Sequence, residues 1–118
     1  MLSPEEDLEN RRPVWIACSV LFLDTELQEV DYKSIARACA QSPYSWEELD
    51  TIMFQEVWPA FRMNLYSTTG EWAGWPPEFI EEQVLEAQKR KWRLPARFSL
   101  LFRSFRKDWE RVRPLIED

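Results

Sequence analysis

The side chains that could do chemistry in this chain are mostly carboxylates. Its 118 residues include 21 Asp/Glu and 2 Cys but no His. The commonest general base, the commonest metal ligand and every His-activated nucleophile are therefore missing. Cys18 and Cys39 alone do not make a structural zinc site, which takes four N or S ligands. They are also too few for a disulfide framework. Both lie in apolar patterns of helical period, so two buried, reduced thiols are expected. Glu47/Glu48 and Glu81/Glu82 are adjacent acid pairs, but neighbours on a helix diverge and do not converge on one substrate atom. They read as first-turn partners of helix dipoles and as solvated faces. Gly70 and Gly74 form G-x-x-x-G without the Lys-Ser/Thr of a phosphate loop and without the apolar surroundings of a membrane dimer face. No cofactor and no metal are expected, and the chain is not expected to be an enzyme.

The remaining chemistry is that of recognition. The stretch STTGEWAGWPP holds both glycines of the chain and two of its seven tryptophans. Trp72 and Trp75 either cover one end of the fold, with each indole N–H on a carbonyl, or anchor a partner beside Glu71. Asp24, Glu26, Glu29 and Asp31 add an acidic cluster in a connector. The net charge of −6 argues against a general nucleic-acid binder, yet it is unevenly spread. Residues 1–88 hold 17 of the 21 acidic residues, and residues 89–118 hold 10 of the 15 Lys/Arg. The two parts either attract each other within one fold or present faces of opposite sign. Arg103, Arg106, Lys107 and Arg111 form the alternative, basic face. The aromatics interleaved with them fall on the opposite, inner stripe and read as core rather than as a stacking platform.

These residues need elements to hold them, and the periodicity predicts helices throughout. Ser3-Pro4-Glu5-Glu6 has the capping-box form, with proline at the first helical position. That short acidic helix is expected to bend or restart before Pro13. Pro13 to Leu23 is apolar nearly all round and reads as a central buried helix. Asp24 to Val30 is a connector, after which Asp31 caps a helix carrying Tyr32, Ile35, Ala36 and Cys39 on one face. Ser45-Trp46-Glu47-Glu48 is a second capping box. It opens a helix with Trp46, Leu49, Ile52, Met53 and Val57 inward, which Pro59 kinks or ends. Residues 62–76 have no clear period and form a long loop. Pro76-Pro77 launches a fourth helix with Ile80, Val84 and Ala87 inward. The fifth carries Phe98, Leu101, Phe102, Phe105, Trp109 and Val112, with Pro114 at its end. No period-two strand pattern persists. The expectation is an all-α bundle of about four to six helices in a single domain over residues 1–118, with one Trp-containing loop at about 62–76.

The strings RRPVW, LFLDTEL, SPYSWEEL, EVWP, NL and GEWAGW resemble a pattern found in a small family of uncharacterised bacterial proteins. The resemblance covers Arg11 to Trp75 and implies a bacterial, cytosolic, stand-alone domain without an established activity. The apolar run Val14–Leu23 is ten residues, too short to cross a bilayer. An acidic leader precedes it where an export signal would be basic. With Met1 at the start, a soluble cytoplasmic protein is expected. Small size, acidic balance, an all-α fold and loop tryptophans together suggest a non-enzymatic binding protein. Its most concrete form is an immunity protein that neutralises a cognate bacterial toxin, with Asp24, Glu26, Glu29, Asp31, Glu71, Trp72 and Trp75 as contacts. The alternative is a regulatory or nucleic-acid module using the basic C-terminal face.

Overall fold

The computed structural model describes residues 1–22, 27–61, 75–89 and 100–117, with the side chains of 100–104 and 117 left aside. Helices follow one another without a strand among the described residues, so the fold is all-α. They are α1 (Leu8–Ser19), α2 (Glu29–Gln41), α3 (Trp46–Ile52), α4 (Trp58–Phe61), α5 (Pro77–Lys89), α6 (Leu100–Glu110) and α7 (Arg113–Glu117). Short 3-10 turns at Pro4–Glu6 and Val20–Phe22 bracket α1, and a π turn at Met53–Val57 joins α3 to α4.

The expected stripes are the buried ones. Tyr32, Ile35, Ala36 and Cys39 of α2 are buried, as are Leu49, Ile52, Met53 and Val57, and Ile80, Val84 and Ala87 of α5. Phe105, Trp109 and Val112 are buried at the C-terminal end, while Phe98, Leu101 and Phe102 lie outside the described side chains. Except for Ala87, these side chains join Val14, Trp15, Cys18 and Phe22 of the α1 region in one continuous core. Five aromatics fill its centre. Phe22 lies 4.5 Å from Phe105 and 5.9 Å from Phe61, and Phe105 meets Trp58 edge-on at 5.1 Å. Phe54 closes the group at 6.1 Å from Phe105. Around this core α1 packs on α2, α5 and the π turn, α2 packs on α7, and α4 packs on α5.

The capping chemistry explains several boundaries. Ser45 Oγ accepts from Glu48 N–H and Glu48 Oε1 accepts from Ser45 N–H, the reciprocal pair the sequence predicts. Pro76 caps α5, its carbonyl accepting from Phe79 N–H at 3.0 Å and from Ile80 N–H at 3.2 Å. Pro77 then fills the first helical position, where no N–H is needed.

Three expectations are corrected. First, the central helix does not begin at Pro13: the chain restarts at Leu8, before the proline as expected, and α1 then runs through it. Arg11 and Arg12, just before the proline, are tied to partners far along the chain. Those ties hold helical angles that a proline otherwise discourages. Second, the cap of α2 is Gln28, and Asp31 sits three residues inside, accepting from Gln28 N–H at 2.8 Å. Third, Pro114 does not end the chain's helical structure; it lies in the first turn of α7, where its missing N–H costs nothing.

Pro59 acts differently again. In an α turn its ring would press on the carbonyl four residues back. The chain widens before it instead, with Trp58 N–H bonding to the Met53 carbonyl five residues earlier. Pro59 has no N–H to give the Gln55 carbonyl, which accepts from the Gln88 side chain of α5 at 2.8 Å.

Candidate functional site

Two polar constellations stand out among the described residues. One is buried. The Arg11 guanidinium donates Nε to Glu56 Oε1 and Nη2 to Glu56 Oε2, each at 3.1 Å. Trp15 Nε1 donates to the same Glu56 Oε1 at 2.9 Å. Arg11 Nη2 also donates to the Leu2 carbonyl at 2.8 Å, and Nη1 to Tyr44 Oη at 3.2 Å. The Tyr44 hydroxyl in turn donates to Asp7. Arg11 is 1% exposed and Glu56 4%.

The charges in this network hold one another. Burial works against the Arg11 charge, but the bonds with Glu56 and Tyr44 outweigh it and raise its pKa. Burial, helped by the bond to Asp7, pushes the Tyr44 phenol up to about 12. The bond from Tyr44 holds the Asp7 carboxyl below its usual value. The arrangement binds the N-terminal segment, α1, the α2–α3 connector and the π turn together. Its role is to hold the fold.

The other constellation is on the surface, between α1 and α5. Because Ile80, Val84 and Ala87 face the core, Glu78, Glu82 and Glu86 fall one helical turn apart on the solvent side. The facing side of α1 brings Arg12 and Ile16, also about one turn apart. Arg12 donates Nε to Glu81 Oε2 at 2.9 Å and Nη2 to Glu81 Oε1 at 3.0 Å, a bidentate pair. Those bonds hold the Glu81 carboxyl below its usual value.

Beside that pair lies a pocket of about 190 Å³ lined by Arg12, Trp15, Ile16, Pro77, Glu78, Ile80 and Glu81. Next to it, on the outer face of α5 alone, an open trough of about 310 Å³ is bordered by Glu78, Glu81, Glu82, Leu85, Glu86 and Lys89. Small-molecule sites usually measure ~300–1,000 Å³; the pocket is smaller and has room for one bulky side chain. Ile16, which lines the pocket, is 37% exposed, while the exposed Phe79 lies toward Trp75.

The sequence-predicted contacts fare unevenly. Asp24, Glu26, Glu71 and Trp72 lie outside the described residues. Glu29 is exposed and shares a shallow trough with Arg111, Tyr32, Pro114 and Leu115. Asp31 is spent on the start of α2. Trp75 is half-buried, stacked on Phe61 at 4.8 Å and 6.5 Å from Phe79. Part of it packs against the core.

The alternative basic face is also engaged. Arg106 Nη2 pairs with Asp50 at 3.3 Å and Glu110 at 3.2 Å, and its guanidinium lies over the Phe54 ring. Arg111 sits over the Tyr32 ring at 4.1 Å. Lys107 is exposed, and the Arg103 side chain is outside those described. Asp50 also accepts from Trp109 Nε1 at 3.0 Å, while Trp109 stacks on Trp46 at 4.7 Å. Of this basic face, Arg106 thus meets an acidic residue from earlier in the chain, Asp50.

Cys18 and Cys39 are buried free thiols on α1 and α2. Their mutual hydrogen bond, then burial, raises the Cys18 thiol well above the usual range, which keeps it protonated and unreactive. Among the described residues no group of three or more Asp, Glu, Cys or His could hold a metal ion, and no helix is long and apolar enough to cross a membrane.

The α1–α5 groove was not legible as a site in the sequence. Its glutamates look like ordinary dipole partners of a helix start, and Ile16 looks like one more core residue of an apolar run. The available signal was the four-residue spacing of Glu78, Glu82 and Glu86.

Comparison with known families gives one match, to a model described as Domain of unknown function (DUF7079), over residues 9–115. The match continues past Trp75 through α6 and into α7. No curated protein and no solved structure matches.

Proposed function

The chain belongs to the DUF7079 family, and from that premise we propose a non-enzymatic protein that binds another protein, in the manner of an immunity protein neutralising a cognate bacterial toxin. The observation that carries this reading is the α1–α5 face. Between α1 and α5 lies a pocket the size of one side chain, and the outer face of α5 beside it carries Glu78, Glu82 and Glu86. A surface of that kind favours a cationic protein partner. The carboxylates speed encounter, and the pocket retains an inserted side chain. The acidic balance of the whole chain, −6, acts in the same direction. The resemblance of the strings between Arg11 and Trp75 to bacterial proteins supplies the setting.

Co-expression tests it. The chain is produced together with the product of the neighbouring gene in a bacterial host. Restored growth and a complex isolated from the two purified proteins are the expected results. A neighbour that is not toxic, or a chain that neither binds nor protects, ends the immunity reading.

A further inference from the structure

We propose that Cys18 and Cys39 are a redox-sensitive brace: hydrogen peroxide closes the two thiols to a disulfide that ties the end of α1 to the end of α2. The inference is independent of the partner-binding reading above and concerns how the fold itself answers oxidation.

The first argument is placement. The chain has only two cysteines in 118 residues, on different helices, and the fold sets them against each other. The helices α1 and α2 pack together, both thiols are free and buried in the one continuous core, and a hydrogen bond joins their side chains. Sulfurs already in hydrogen-bond contact need only small shifts of side chain and backbone to reach a bond of about 2.05 Å.

The second is access. Each cysteine lies in the last turn of its helix, α1 ending at Ser19 and α2 at Gln41. Helix ends open locally at far lower cost than the whole fold. In the closed fold the hydrogen bond and burial hold the Cys18 thiol protonated, and the thiolate is the form that reacts. Reaction therefore waits on the opening of a helix end, and a small oxidant suits so small an opening.

The third is the chemistry. One cysteine, opened and deprotonated, attacks an oxygen of the peroxide. The O–O bond breaks, hydroxide leaves and takes up a proton as water, and the sulfur becomes a sulfenic acid. The sulfur of the other cysteine then attacks the first, the S–O bond breaks, and the departing hydroxide takes the second thiol proton as water. Two thiols have lost two electrons and two protons, and one peroxide has become two waters. The bridge closes a loop of about 20 residues between α1 and α2, which restricts the unfolded chain and stabilises the fold.

The test uses the full chain, first reduced and then treated with hydrogen peroxide at neutral pH without denaturant. Peptide mapping is expected to find Cys18 joined to Cys39 within one chain, with the loss of two hydrogens. The melting temperature is expected to rise by about 5 °C or more on oxidation and to return on treatment with dithiothreitol. Cys39→Ala, compared with itself before and after peroxide, is expected to show no such rise, whatever its starting stability. Cysteines that stay as thiols, stop at sulfinic acid or pair only between chains overturn the proposal. So does a bridge that forms only once the chain is unfolded, or one that leaves the melting temperature unchanged or lower.

Discussion

Arg11 and Glu56, 45 residues apart, form a pair of parallel 3.1 Å hydrogen bonds inside the core. Two buried charges are costly to take out of water, and a pair like this holds only if its geometry and extra bonds are good. Here they are: Trp15, Tyr44 and the Leu2 carbonyl take up further hydrogen-bonding capacity of the two groups. Removing one partner leaves the other charge stranded. Glu56→Ala is expected to destabilise the fold by about 3–5 kcal/mol in urea unfolding. Replacing both together, Arg11→Met with Glu56→Leu, is expected to cost clearly less than the single change. A single-variant loss under about 1 kcal/mol would contradict the burial of this pair.

Pro13 costs α1 the N–H that would bond to the Glu9 carbonyl, in a helix that continues regardless. Both residues are exposed, so water can serve that carbonyl and no packing depends on the ring. Pro13→Ala is expected to raise stability by about 1–2 kcal/mol, the restored helical bond outweighing the greater freedom of the unfolded chain. A fall in melting temperature would mean that the proline shapes α1 in a way the helix geometry does not reveal.

Tyr44 gives the protein an alkaline signature. The unfolded chain releases the phenolic proton near pH 10 and the folded chain near 12, so ionisation favours unfolding across that window. Stability from this group is whole below pH 10 and is lost as the pH rises to about 12. Tyr44→Phe is expected to flatten the stability profile between those values, at a loss of about 1 kcal/mol near neutrality for the missing hydrogen bonds. Equally steep alkaline profiles for the two proteins would remove Tyr44 as their cause.

Arg12 sets the ionisation of Glu81. The folded pKa of that carboxyl is depressed, so its contribution is present at neutral pH and disappears as the pH falls below about 4 toward the folded value. Arg12→Gln is expected to return the Glu81 carboxyl toward its usual value in a side-chain NMR titration. The pocket would also lose the pair that closes one of its sides. An unchanged Glu81 titration would mean that another cation holds it.

The sequence revealed what is local. Tyr32, Ile35, Ala36 and Cys39 announce their face because helical spacing is written into the order of residues. The Ser45–Glu48 box and the double proline before α5 do the same for boundaries. Burial of Arg11 is not local: it depends on Glu56 and Tyr44 arriving from elsewhere, and an arginine next to an arginine reads as surface. Pro13 misleads for the same reason, its local cost being overridden by distant bonds on either side of the helix. The acidic strip was visible only as charges. Beside it Ile16, which an unbroken apolar run hides, is exposed in the pocket between α1 and α5. Trp75 was rightly singled out as needing a place, and that place is against Phe61.

The π turn at Met53–Val57 has a bearing on how this chain can vary. It is one residue longer than the helical turn it replaces, and Trp58 and Phe61 lie in the core just beyond it. Deleting one residue there would close the wide turn to ordinary α spacing, and the bond from Trp58 N–H to the Met53 carbonyl would be lost. With Met53, Glu56 and Val57 buried inside it, the segment is constrained in length as well as in residue type, and insertions or deletions among variants of this protein should fall outside it.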